Sequence, residues 1–291
     1  MDNMRHYGLI NMSRILAATM AVTVALVLTG CVTDGAISTG GGSGDAVNLN
    51  SLSTVIEQNP TDASAFNLRG IAYAKSGDSD RAIDDFSTAL RLKPDFFEAM
   101  NNRGNAYRRK GETDLALADF NRVIEVQSTY PKAYVSRGQI YRARKNYGAA
   151  INDFTRALTL DARDHLAYHY RGLVYQTQNQ HLEALKDFNE AVSLRPGQTP
   201  PLYARAVSNL ALNRNTAAAD DFAQVIQLKP NSIEARFGRA TANEAINKWQ
   251  EAANDYQAIL KLKPGSNAAK KGRARALKEA KARGQVVVKK K

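Results

Sequence analysis

Cysteine occurs once in 291 residues, at Cys31, so no intramolecular disulfide holds this chain together, even in an oxidising compartment. Histidine is nearly as sparse. Only His165 and His169, after Asp164, stand at a metal-ligand spacing, and two ligands without a suitably placed third do not make a site. A Gly-rich phosphate loop, a Gly-x-Ser-x-Gly elbow and a His-Glu-x-x-His pair are all missing, so no catalytic residue, metal or cofactor is expected. The one tryptophan, Trp249, takes the same place in an internal repeat as Tyr147 and His181 and reads as packing. Acid runs out toward the C-terminus. From Lys261 onward twelve Lys or Arg face a single acid, Glu279, which puts +11 of the net +12 there. Such a tail attracts nucleic acid, anionic lipid or an acidic protein, or else serves as a solvated cap.

What the chain does have is a period of 34 residues, repeated six times without an insertion. Each copy carries Arg followed by a small residue: Arg69-Gly70, Arg103-Gly104, Arg137-Gly138, Arg171-Gly172, Arg205-Ala206 and Arg239-Ala240. Sixteen residues after each Arg comes Asp-aromatic: Asp85-Phe86, Asp119-Phe120, Asp153-Phe154, Asp187-Phe188, Asp221-Phe222 and Asp255-Tyr256. Within one copy, Met100, Gly104 and Tyr107 share a face of a first helix, while Ala116, Phe120 and Val123 share a face of a second. Each unit is therefore a hairpin of two amphipathic helices. Gly inside a helix costs about 1 kcal/mol relative to Ala, so its recurrence needs close approach, expected here of Gly70 to Ala82 and Gly104 to Ala116, with the Phe four residues after each Ala filling the remaining gap. Pro94, Pro196, Pro230 and Pro264 stop second helices. The recurring Arg and Asp are expected to pair within each hairpin. A feature shared by every repeat suits a shared task such as register.

These residues resemble the tetratricopeptide repeat (TPR) pattern over 63–264. The resemblance implies an all-α, right-handed superhelical solenoid of six helix hairpins with capping helices at both ends. Its concave face would be lined by the first helices, where partner peptides of TPR proteins usually lie. By position in the repeat, Asn67, Asn101, Asn105, Arg108, Gln139 and Arg142 face that groove in its first half, and Leu166, His169, Leu173, Tyr203, Val207, Leu210 and Phe237 in its second. Departures are Arg in place of the usual Leu before each Gly, Asn209 and Asn243 in place of Tyr, and Ser128 and Ala162 in place of turn prolines. The carboxylate clamp known in the family is matched only at Asn102 and Lys132; Asn67, Ile71 and Ser136 replace its other members.

The ends differ from the repeats. Residues 1–30 carry Arg5, Arg14, an apolar stretch over 15–28 and then Leu28-Thr29-Gly30-Cys31. This resembles a bacterial lipoprotein signal, which implies cleavage after Gly30 and fatty-acyl lipidation, palmitate included, at Cys31. The competing reading is an uncleaved anchor. Val32, by resemblance to sorted lipoproteins, implies the periplasmic face of the outer membrane. A Gly/Ser-rich flexible linker is expected over 31–45, a half-repeat cap over 46–62, and a basic capping helix and tail over 265–291 with Leu277 inward.

Lipobox plus repeats is similar in layout to NlpI-type TPR lipoproteins. That likeness implies a non-enzymatic adaptor of the cell envelope that recruits proteases or peptidoglycan hydrolases. The alternative is a type IV pilus assembly lipoprotein that aids secretin biogenesis. Expected partners are envelope proteins or peptides, the membrane through the lipid anchor, and anionic lipid or lipopolysaccharide through the basic tail. A lipobox removes nucleic acid from that company, and a homodimer stays open.

Overall fold

Asp62 opens the first repeat. Its carboxylate accepts hydrogen bonds from the backbone N–H groups of Ser64 and Ala65 at 2.8 and 3.2 Å, satisfying two donors that a helix start leaves free. Asp164 does the same for Leu166 and Ala167, and Ser232 and Ser266 cap later helices. The computed structural model describes residues 44–285, which belong to a unit spanning 42–291. The signal-like segment, Cys31, Val32 and Lys289 to Lys291 lie outside the described residues.

The described residues form fourteen α-helices and no strand. A leading helix, α1 (Gly44–Gln58), is followed by six hairpins: α2 (Ala63–Lys75) with α3 (Ser79–Leu92), α4 (Phe97–Lys110) with α5 (Thr113–Val126), α6 (Pro131–Ala143) with α7 (Tyr147–Leu160), α8 (His165–Thr177) with α9 (His181–Leu194), α10 (Thr199–Ala211) with α11 (Asn215–Leu228), and α12 (Ile233–Ala245) with α13 (Trp249–Leu262). The last helix, α14 (Asn267–Ala282), packs on α13, with Leu277 against the final core cluster. The helix α1 begins at Gly44, inside the stretch read from sequence as linker.

Each helix packs on its neighbours in chain order, and the first helices α2, α4, α6, α8, α10 and α12 also touch one another in succession. No comparable set of contacts joins the second helices. Hairpins spaced more closely on one side curve the stack, which places the first helices on its inner face.

Turns within the hairpins share one backbone state. Gly77, Gly111, Lys145, Asn179, Asn213 and Asn247, each 34 residues from the next, all have φ between +57° and +89°. This left-handed region is open to Gly and tolerated by Asn, but strained for Lys.

The core is a row of fully buried rings: Phe86, Phe120, Phe154, Phe188 and Phe222, each stabilising by roughly 1.5–3 kcal/mol through burial. The recurring Gly meets the Phe ring, which fills the gap beside it as expected. A Cβ on Gly70 would stand 2.7 Å from Phe86 Cε1, and one on Gly104 2.8 Å from Phe120 Cε1. In the last two repeats Ala takes the Gly position within the same core cluster as the ring, and the aromatic side chain also lies against a glycine of the next unit. Phe222 meets Gly238, and Tyr256 meets Gly272.

Candidate peptide-binding groove

The Arg-Asp pairs form in all six hairpins. In each, Arg Nε donates to Asp Oδ2 and Arg Nη2 to Asp Oδ1, at 2.6–2.9 Å, a bidentate geometry that fixes the planar guanidinium against the carboxylate. The carboxylates are largely buried, and burial lifts Asp187 above the usual carboxylate range against the pull of Arg171. A third contact, missed from sequence, ties each pair to the preceding helix. Nη1 of Arg69, Arg103, Arg137, Arg171 and Arg205 donates at 2.8–3.2 Å to Ser53, Ser87, Asn121, Thr155 and Asn189. The acceptor lies sixteen residues before the Arg, and for Arg69 it is supplied by α1, which so stands in for a second helix. Before Arg239 that position is Ala223, and there Arg236 approaches Asp255 instead, at 3.6 Å. These contacts tie successive helices together and so serve register.

The concave side holds two cavities. One, of about 510 Å³, is lined by Asn101, Asn105, Arg108, Gln139, Leu166 and Tyr170, together with Lys132, Val135, Ser136, Asp161, Arg163, Asp164 and His165. Arg108 is the notable group. Its Nε has no hydrogen-bond partner, its Nη2 donates to Asn105 Oδ1 at 3.3 Å, and burial lowers its pKa with no carboxylate to oppose it. Asn101 Oδ1 is likewise buried and unpartnered. A half-buried cation with no salt bridge can attract an anionic group, although Asp161 and Asp164 line the same cavity. Arg142 does not line the cavity. Its guanidinium lies 5.8 Å from the Tyr170 ring, which does.

The second cavity, of about 660 Å³, is lined by His169, Leu173, Tyr203, Val207, Ala204, Val225 and Pro200, with Gln176, Thr199, Lys229, Ser232 and Glu234 around them. Helix α8 borders both cavities, with Leu166 and Tyr170 toward one and His169 and Leu173 toward the other. His169 is 9% exposed, and its Nδ1 has no partner. Burial, reinforced by the charges of Arg142 and His165, pushes its pKa down to about 4, so it is neutral at ordinary pH.

Two other expected groove residues, both partly buried, do not line either cavity. Leu210 packs against the core cluster of α10 and α11, and Phe237 meets Tyr256 edge-on, with centroids 6.0 Å apart. Asn102, one of the clamp-like positions, donates to Asn67 Oδ1 at 3.0 Å and so serves the junction of α2 and α4. Lining residues that sequence reasoning missed include Asp161, the C-cap of α7, and Thr199, Pro200 and Glu234 at the starts of first helices, where the repeats differ in residue type. Gln176, also missed, bridges to the Ala204 carbonyl and Ser208 Oγ at 2.9 and 2.8 Å. Among the described residues no group of three or more His, Cys, Asp or Glu is placed to hold a metal ion, and no helix is long and apolar enough to cross a membrane.

No curated protein sequence matches this chain. Among solved structures, it is similar to a chain of the APC/C hetero-tetramer Cut9-Hcn1, with a TM-score of 0.66 and 18% identity over 80% of this chain, which spans only 46% of that one. It is similar to Pseudomonas aeruginosa pilF, with a TM-score of 0.64 and 16% identity over 80% of this chain and 99% of that one. A tetratricopeptide repeat protein from Parabacteroides merdae aligns with a TM-score of 0.56 and 19% identity over 81% of this chain and 93% of that one. At such identities these likenesses concern the fold alone. The family described as "Tetratricopeptide repeat" matches residues 49–95, 67–134 and 203–267, and again 165–198, while "TPR repeat" matches 138–179. The chain belongs to the tetratricopeptide repeat family.

Proposed function

We propose that this protein is a non-catalytic adaptor of the bacterial cell envelope, tethered by lipid at Cys31 to the periplasmic face of the outer membrane, that holds a client polypeptide along its concave face. The repeat fold supports a protein-protein interaction role; the tether and compartment rest on the Leu28-Thr29-Gly30-Cys31 sequence and Val32. One observation carries the groove reading. Arg108, whose Nε is unbonded and which has no salt-bridge partner, lies in one concavity that adjoins, across α8, an apolar concavity formed by Leu173, Tyr203 and Val207. That pairing suits an extended segment with an acidic group at one end and apolar side chains at the other. Buried apolar anchors dominate such binding, and charges set orientation and salt sensitivity. Clients of this kind include envelope proteases and peptidoglycan hydrolases. The basic face of α14 and the tail beyond it supplies a second, weaker attraction to anionic lipid or lipopolysaccharide.

Crosslinked capture from intact envelopes tests the reading. Val207→Arg should abolish most client recovery with helical content unchanged, while Arg108→Ala should give a smaller, salt-dependent loss. Recovery that survives Val207→Arg combined with Tyr203→Ala, in a folded protein, places the client elsewhere. For the tether, Cys31→Ala should leave an unprocessed, unacylated precursor. The second reading, a pilus assembly lipoprotein acting on a secretin, draws on the similarity to pilF over nearly its whole length. Secretin multimers that still assemble normally in a strain lacking this protein would remove it.

A further inference from the structure

In the first four repeats a tyrosine one turn after the conserved Arg closes the Arg-Asp junction. Tyr73 lies 6.0 Å from the Arg69 guanidinium and 4.6 Å from that of Arg81, so its ring sits against two cations. Tyr107 and Tyr141 stand 5.8 and 5.7 Å from Arg103 and Arg137, and Tyr175 takes the same place beside Arg171. In the fifth repeat this position is Asn209. Its short side chain leaves room where a ring would lie, and the structure has a cavity of about 410 Å³ there, sharing no lining residue with the concave groove. Leu185, Asn209 and the Arg205-Asp221 pair form its buried part; Arg214 and Asp220 stand at its exposed rim.

The lining limits what fits. A cavity of about 150 Å³ already holds benzene, so volume is no obstacle to a ring. Both signs of charge are present, Arg205 and Arg214 against Asp220 and Asp221, so a carboxylate or an ammonium would each meet a like charge. A neutral phenol suits both. Its face can stack on Arg205, as the tyrosines of earlier repeats do on their own arginines. Its hydroxyl can accept from Arg214 and donate to Asp220, neither of which has another side-chain partner among the described residues. Asn209 itself gives only a long 3.4 Å contact to Asp221.

We propose that this cavity takes the side chain of a tyrosine from a partner polypeptide, supplied in trans where the first four repeats supply it in cis. The site is separate from the concave groove and stands or falls independently of it. Two probes test it on the full-length chain in detergent: p-cresol, and the peptide N-acetyl-Ala-Tyr-Ala-amide. Both should shift the Asn209 side-chain amide resonance saturably, with Kd in the millimolar range expected for so small a contact. Asn209→Tyr should fill the space, raise Tm by about 2–4 °C without ligand, and abolish both responses. Arg214→Ala, at an exposed position that does not carry the fold, should weaken both probes several-fold. The proposal is overturned by the absence of a saturable shift, by equal binding to a folded Asn209→Tyr variant, by unchanged affinity in Arg214→Ala, or by cresol binding without binding of the peptide.

Discussion

Phe222 lies against Gly238, sixteen residues after it, whereas Phe86, Phe120, Phe154 and Phe188 lie against glycines sixteen residues before them. In the fifth hairpin Ala206 takes the upstream Gly position and shares a core cluster with Phe222, so the ring has a small residue on both sides. Adding a methyl at Gly238 drives a Cβ into the ring. Ala is the better helix former by about 1 kcal/mol, yet overpacking costs about 1–3 kcal/mol, so Gly238→Ala should destabilise. Combining it with Ala206→Gly reopens the upstream place for the ring and should recover part of the loss. Urea unfolding followed by circular dichroism reads both. Equal stability of the single and double variants would show that the ring does not relocate.

The arginine of each repeat is held on both sides, by an acceptor sixteen residues before and an Asp sixteen residues after. Removing Asp153 leaves the Arg137 guanidinium, 19% exposed in its side chain, without its counter-ion. Asp153→Ala should cost about 1–3 kcal/mol, and adding Arg137→Leu should restore part of that. The sixth repeat permits a gain. Ala223→Asn would place an acceptor before Arg239, as Asn189 does before Arg205, and should add about 0.5–1 kcal/mol. Double-mutant cycles on chemical denaturation decide both points.

The period, the hairpins and the partners of the Arg-Asp pairs could be read from spacing because those contacts recur at a fixed offset inside one hairpin. The acceptors at Ser53, Ser87, Asn121, Thr155 and Asn189 were just as regular in sequence. They join successive repeats, and the spacing alone does not say which helix of the previous unit faces the Arg. The Phe beside each Gly was legible as the residue that fills the gap, though not how far its ring reaches. Helix-face arithmetic locates Cα positions, but a Phe ring reaches a full turn beyond its own, so Phe86 occupies the space that Gly70 leaves. In the groove, Val207 and Leu173 were legible by position, while Leu210 and Phe237 pack within their own hairpins and line neither cavity. Pro200 and Glu234 stand 34 and 68 residues after Leu166, so the same register that reached Leu166 also reaches them, although their residue types differ from repeat to repeat.

Lys145 has φ of +59° at a turn where Gly77 and Gly111 stand in the first two repeats. A side chain with a Cβ is strained there, and Gly is not. Lys145→Gly should therefore stabilise by about 1 kcal/mol, less the entropy that Gly loses on folding. The same change at Asn179 should give less, because Asn tolerates this region better than Lys. Melting of the two variants side by side separates the cases; an equal gain at both would remove the side-chain argument.

His169 titrates at about 4 in the fold and near 6.5 when unfolded. The folded state therefore binds fewer protons between those values, so the stabilising contribution is complete above about pH 6.5 and is lost as pH falls toward 4. Protonation would place a charge among Tyr170, Phe188 and Arg142, with the Nδ1 atom already lacking a partner. Each tenfold weakening of proton affinity corresponds to about 1.4 kcal/mol, so the loss across that window approaches about 3 kcal/mol. His169→Gln cannot charge and should show a shallower decline of unfolding midpoint from pH 7 to pH 4 than the native chain, although carboxylate protonation will lower both. Because the ring lines the apolar cavity beside Leu173 and Tyr203, its protonation also puts a cation where apolar side chains of a client would lie. Client affinity should then fall below about pH 5 in the native protein and stay level in His169→Gln. Parallel pH profiles of stability and affinity in the two proteins would show the histidine buried but chemically silent.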